Sequence, residues 1–203
     1  NKIFTREVFK YYENEVFPVT INETLEPYKE HGKMDLVDYG FRVLLNLTAD
    51  FSGVDRPKKT KEETETLLNL LKIFASGATL HHSTRDHEEV KEEVRNALEN
   101  FDEQFLKPSI ERRKNLIRKK DFENLPSDIL TVLLVNEDDL NLPYDVLQRE
   151  IAFYLLAGAQ TSIHSLVHVF HEIHEWIKNN PKEKLKLKDL SLIHISEPTR
   201  QLQ

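Results

Sequence analysis

Apolar residues recur every three or four positions along most of this chain, the spacing that places them on one face of a helix. Between Asn1 and Leu25 the turns are marked by Phe4, Val8, Tyr11 or Tyr12 and Glu15 ahead of Pro18, and Pro27 with His31-Gly32 closes the region. Lys33-Met-Asp-Leu-Val-Asp38 reads as a short extended piece. Phe41, Leu44, Leu45, Thr48 and Phe51 then line a helix that stops at Gly53 and Pro57. Thr60 followed by Glu63 is a capping-box signature, and Leu67, Leu70, Leu71 and Phe74 continue as an apolar stripe to Gly77. A second amphipathic helix turns Val90, Val94, Ala97, Leu98, Phe101 and Phe105 inward and Glu88, Glu89, Glu92 and Glu93 outward. The basic run Arg112–Lys120 reads as a solvated helix end without a function. Pro126-Ser-Asp128 opens a short helix through Leu134, and Asn136-Glu-Asp-Asp139 reads as an acidic loop.

The longest pattern follows. Val146, Leu147, Ile151, Leu155, Ile163, Val167, Phe170 and Ile177 keep helical spacing between Pro143 and Pro181, which predicts one helix of roughly 37 residues. The expected fold class is therefore all-α. At the centre of that helix lies Ala157-Gly158-Ala159, although a mid-helix glycine costs about 1 kcal/mol relative to alanine. Small side chains leave backbone bare, so another helix or a flat ligand can come close. Thr161, four residues after Ala157, can return its hydroxyl to the Ala157 carbonyl or turn it to a ligand and water.

Composition narrows the possibilities. A net charge of −7 with 31% charged residues argues against a nucleic-acid partner, which calls for a basic face. The absence of cysteine excludes disulfides and cysteine-ligated zinc. No apolar run of about 18 residues is present to span a membrane. Histidine offers a rival chemistry: His164, His168, His171 and Glu175 share one face of the long helix, with His174 beside them. One helix cannot complete the usual four ligands, and His171-Glu-Ile-His174 is one residue short of His-Glu-x-x-His.

Asp128-Ile-Leu, the acidic stretch after it, and a long helix with Ala157-Gly158-x-x-Thr161-Ser162 at its middle together resemble the cytochrome P-450 family of haem-thiolate monooxygenases. The family's usual pattern is Ala/Gly-Gly-x-Asp/Glu-Thr-Thr/Ser, and Gln160 departs from it where an acid is usual. The resemblance covers residues 1–189, corresponding to the family's helices D through the start of J, and implies a partial domain of that fold whose long helix crosses the distal face of haem b. It implies insertion of one atom of O2 into a small apolar organic substrate, with electrons from a redox partner. Ala157 and Gly158 would leave space above the iron, and Thr161 would hold the water or hydroperoxide that feeds protons to bound oxygen. Gln160 would orient that water without releasing a proton. Phe153 and Ala157 would wall the substrate pocket, and Phe74 and the turn from Gly77 to His82 would lid it.

The axial cysteine is not among these residues, so the chain alone is expected to be inactive. The family resemblance leaves the compartment open between a soluble cytoplasmic form and one anchored by an N-terminal segment. Leu190-Ser-Leu-Ile-His-Ile-Ser-Glu-Pro-Thr-Arg200 resembles an in-frame translation of a transposase sequencing adapter, so 190–203 reads as a non-native tail. Two readings from other classes stand beside the enzyme: a non-catalytic helical interaction protein and a His-rich helical metal-binding protein.

Overall fold

The structure is a computed structural model that describes residues 5–29 and 32–183, so the tail expected at 190–203 lies outside the described residues. The described residues are all-α, with no strand among them. In order they form α1 (Arg6–Tyr11), a wide π-helical turn (Tyr12–Val16), α2 (Phe17–Lys29), α3 (Leu36–Ser52) and α4 (Lys61–Ala78). After a 3-10 turn (Leu80–His82) come α5 (His87–Phe101), a second π-helical turn (Asp102–Leu106), α6 (Lys107–Arg118), α7 (Ile129–Val135), α8 (Glu137–Leu140) and α9 (Tyr144–Asn179). Two compact units divide at Ile163/His164, inside α9.

The caps that start these helices are local. Thr60 Oγ1 accepts from the Glu63 amide at 3.2 Å, but the Glu63 carboxylate returns to the Lys58 and Lys59 amides, one to two residues before the usual capping-box partner. Asp86 Oδ1 accepts from the Glu88 and Glu89 amides, both at 2.9 Å, and starts α5. Asp35 does the same for Val37 and Asp38, which corrects the extended reading of Lys33–Asp38: Leu36, Val37 and Asp38 are already helical. The expected acidic loop is instead the single turn of α8, ended by Asn141 at φ 44°.

Neither Pro18 nor Pro108 ends its helix. Each sits two residues after a wide turn, in which Phe17 donates to the Tyr12 carbonyl and Lys107 to the Asp102 carbonyl. A proline inside a helix lacks the amide donor and drives its ring at the carbonyl four residues back. Widening the preceding turn relieves the clash, and the chain continues as α2 and α6. The first residue of each wide turn is buried and makes a long-range contact. Tyr12 shares its hydroxyl proton between the Asp50 and Ser127 carbonyls at 3.3 and 3.2 Å. Asp102 accepts from the Tyr144 hydroxyl at the start of α9.

In the first unit, Leu45 and Ala49 of α3, Leu67 and Leu71 of α4, Phe101 of α5, Leu130 of α7 and Leu155 of α9 belong to one buried cluster. Phe74 and Phe101 meet edge to face, with centroids 5.7 Å apart and planes at 88°. The second unit contains the rest of α9. There the Asn180 amide and side-chain Nδ2 both donate to the Trp176 carbonyl, at 2.8 and 2.9 Å, and close the helix ahead of Pro181.

The basic run holds a buried charge, contrary to the solvated reading. Arg113 is 2% exposed and donates from Nη2 to Asp128 Oδ2 at 2.6 Å. Its Nη1 reaches Asp55 Oδ2 at 3.1 Å and the Ser109 carbonyl at 2.9 Å. Arg112, at the surface, holds the other side of Asp55 at 2.6 and 2.8 Å. Asp128 also caps α7 by accepting the Thr131 amide at 2.7 Å. Burial alone would push the Asp55 carboxyl up, but the hydrogen bond from Arg112 and the charge and hydrogen bonds of Arg113 outweigh it and hold the pKa below the ordinary range.

Removing one member of such a buried group leaves charge uncompensated, so Asp128→Ala is expected to cost about 3–5 kcal/mol, measured by chemical denaturation. The Asp55 shift fixes a pH dependence as well. Its stabilisation is complete above the unfolded carboxylate value of about 3.9 and is lost as pH falls through the lower folded value. Asp55→Asn should therefore flatten the acid limb of the stability profile, and an unchanged limb would show that Asp55 does not supply it.

Candidate functional site

A cleft of about 550 Å³ opens between α4, α5 and the first half of α9, wholly within the first unit. Phe74, Gly77 and Leu80 line it from α4 and the following turn, Val94 from α5, and Phe153 and Leu156 from α9. Two of the expected substrate residues, Phe74 and Phe153, thus face one space although 79 positions separate them in sequence. Phe74 is buried, whereas Phe153 is 60% exposed. The cleft is narrow at Gly77, where an added Cβ would stand 2.7 Å from Val94 Cγ2. Gln148 Nε2 donates to the Leu98 carbonyl at 3.0 Å and ties α9 to α5 beside it.

Around α9 the remaining expected residues occupy adjacent positions. Leu147, Ile151, Ala152, Leu155, Ala159 and Ile163 are buried. Phe153, Ala157 and Thr161, at successive four-residue steps, run along the outward side, with Phe153 and Thr161 exposed and Ala157 half-buried. Half-buried Gln160 lies on the same side by helical rotation. Thr161 Oγ1 donates to the Ala157 carbonyl at 2.7 Å, the first of its two expected arrangements.

Gly158 is placed differently from Ala157. A Cβ there would lie 2.6 Å from Cγ2 of Thr48, so the close neighbour at Gly158 is α3 of this same chain. Thr48 is itself held, its hydroxyl donating to the Leu44 carbonyl at 2.7 Å, so its methyl cannot swing aside without losing that bond. Ala157 and Thr161 remain with Phe153 on the outward side; Gly158 serves the α3 contact.

The histidine face is exposed at His164, His168, His171 and His174. Among the described residues, no three His, Asp or Glu side chains gather into a group suited to a metal ion. Among them too, no helix is long and apolar enough to cross a membrane.

Sequence reasoning missed the charges at the cleft. Lys91 and Arg95 from α5 and Arg149 from α9 join its lining. A legible signal existed: Arg149 stands one turn before Phe153, and Lys91 and Arg95 interrupt an otherwise acidic face. Scans against family models and searches of curated proteins and solved structures return no match to this chain.

The Gly158 contact gives a direct test. Gly158→Ala gains about 1 kcal/mol of helix propensity but forces a methyl into Thr48, where overpacking costs typically 1–3 kcal/mol. A net loss of stability is expected, and Thr48→Ser, which removes the opposing methyl, should reverse it in the double variant. Denaturation midpoints of the four proteins measure the coupling; additive effects would show that Gly158 and Thr48 do not share this contact.

Proposed function

We propose that this chain is part of a haem-thiolate monooxygenase of the cytochrome P-450 type. The observation that carries the reading is the cleft: Phe74 and Leu80 of the turn after α4, expected to lid a substrate pocket, line one space with Phe153 of the long helix, expected to wall it. The outward side of α9 supports it. Ala157 gives that side a low profile beside Thr161, which suits apposition of a flat group such as haem b, whereas Gly158 is already engaged with Thr48. The axial thiolate would come from outside these 203 residues, which contain no cysteine.

When bound, haem b supplies the redox chemistry that activates O2 with two electrons from a redox partner. The balance is one substrate C–H, O2, two electrons and two protons giving one alcohol and one water. This chain's residues would exclude water from the substrate and position its protons. Phe74, Leu156 and Phe153 wall an apolar space in which a small organic substrate sheds its hydration. Thr161 holds its hydroxyl at the Ala157 carbonyl, from which a rotation would redirect the proton toward a water on the outward side of α9. Gln160 orients that water by donating and accepting hydrogen bonds, with no proton of its own to release near neutral pH.

The reading is tested on protein that includes the proposed cysteine ligand, by its reduced carbon-monoxide difference spectrum. A thiolate-type band supports it, and a protein that takes up haem without that band, or takes up none, overturns it. The 203-residue chain alone should show no such band. In the complete enzyme Thr161→Ala is expected to keep electron consumption while lowering product and releasing hydrogen peroxide, which consumes the same O2, two electrons and two protons. Unchanged product per electron would remove Thr161 from proton delivery.

A further inference from the structure

We propose that the cleft between α4, α5 and α9 selects an amphiphile with an apolar body and a carboxylate end, a fatty-acid-like anion. This rests on the substrate-cleft reading above and narrows it. The walls are apolar, yet three charged side chains join the lining, and all three are cationic: Lys91, Arg95 and Arg149. Among the described residues no Asp or Glu lines the space, although the chain as a whole carries a net charge of −7. A cleft that opposes the sign of its own protein favours an anion in its mouth.

The three cations are available to a ligand. Each is more than half exposed and, among the described residues, is paired within its own helix, Lys91 with Glu88 at 2.7 Å, Arg95 with Glu92 at 2.9 Å and Arg149 with Asp145 at 2.7 Å. Exposed pairs of this kind contribute little, so exchanging a glutamate for a ligand carboxylate costs little. The counter-acids stand outside the lining. Position adds to charge: Arg95 follows Val94 and precedes Leu98 by one turn, and Arg149 precedes Phe153 by one turn, so the guanidinium groups flank the apolar wall. A flexible chain laid along Phe74, Leu156 and Phe153 brings its carboxylate to that rim. Arginine offers two parallel donors to such an end group.

The test is calorimetric titration of the 203-residue chain with dodecanoate and with dodecanol, which share an apolar chain and differ in charge, both below their aggregation limits. Dodecanoate should bind at least about fivefold more tightly at low salt, with a preference that shrinks as salt is added. Lys91→Gln, Arg95→Gln and Arg149→Gln combined should bring dodecanoate to the affinity of dodecanol, and circular dichroism reports that these exposed substitutions leave the helices intact. Ala152→Trp, which places bulk in the cleft, should weaken both ligands. Equal affinities in the parent chain, a preference that survives in the triple variant, or binding of neither ligand overturns the proposal. The monooxygenase reading is decided by the iron spectrum, so an acid-blind cleft in a protein with the thiolate band, or an acid-selective cleft in one without it, would separate the two.

Discussion

The buried pair Arg113–Asp128 is the constraint on which the first unit depends. Both side chains are almost fully buried, and ions taken from water cost several kcal/mol each unless every donor and acceptor is met. The structure meets this demand by drawing separate segments to one point. Asp55, from the loop after α3, accepts from Nη1 and Nη2, the Ser109 carbonyl accepts from Nη1 as well, and Ser109 Oγ accepts the Asp55 amide at 2.8 Å. Asp128 serves Arg113 and caps α7 at a point where the end of α3 comes very close. Gly53 allows that approach: at φ 89° it tolerates the left-handed backbone, and a Cβ there would stand 2.5 Å from Asp128 Oδ1. The helix stop at Gly53, the cap of α7 and the buried arginine are thus one arrangement.

The wide turns carry this order outward to the cleft. An unbroken α-helix through Pro108 would place its ring against a carbonyl, and the widened turn avoids the clash by shifting the helical phase. That shift occurs at buried Asp102, whose carboxylate takes the Tyr144 hydroxyl and the Lys107 ammonium. Tyr144 begins α9, so the same turn that accommodates a proline also fixes where α9 starts beside α5. Burial and the bond to Asp102 together push the Tyr144 phenol pKa up, keeping it a donor throughout the ordinary pH range. Tyr12, at the corresponding position of the first wide turn, links the N-terminal helices to Asp50 and Ser127, the residue beside Asp128.

Much of this was legible as faces and little of it as partners. The stripes of α4 and α5, the cap at Thr60 and the extent of α9 between Pro143 and Pro181 follow from spacing within one helix, and the structure has them. The extended reading of Lys33–Asp38 failed because Asp35, a local cap, outweighed the lack of a long apolar period. Arg113 was invisible for a different reason. Among the basic residues around it nothing local marks one as buried, since its partners lie 15 and 58 positions away. The wide turns were hidden likewise: a proline inside an amphipathic pattern signals a break, and only the packing of Tyr12 and Asp102 rewards continuing the helix. At the site, Phe74 and Phe153 were legible as aromatic positions on two helices, but their shared cleft depends on how α4, α5 and α9 pack.

The small residues of α9 show how one motif serves two neighbours. Successive residues advance about 100° around a helix, so Gly158 stands roughly 60° from Thr161 and on the flank nearer the core. There α3 fills the space that glycine leaves, with Thr48 as the contact. Phe153, Ala157 and Thr161 drift only about 40° at each step, so they form one outward ledge. The cleft residues Ala152, Leu156 and Arg149 lie on the other side of Phe153 by the same rotation. Phe153 is therefore the border between the apolar cleft and the ledge that carries Thr161. A group lying in the cleft reaches the ledge by passing that one exposed ring. The ring's rotamer, with no core to lock it, is the structural variable that sets how far the two spaces communicate.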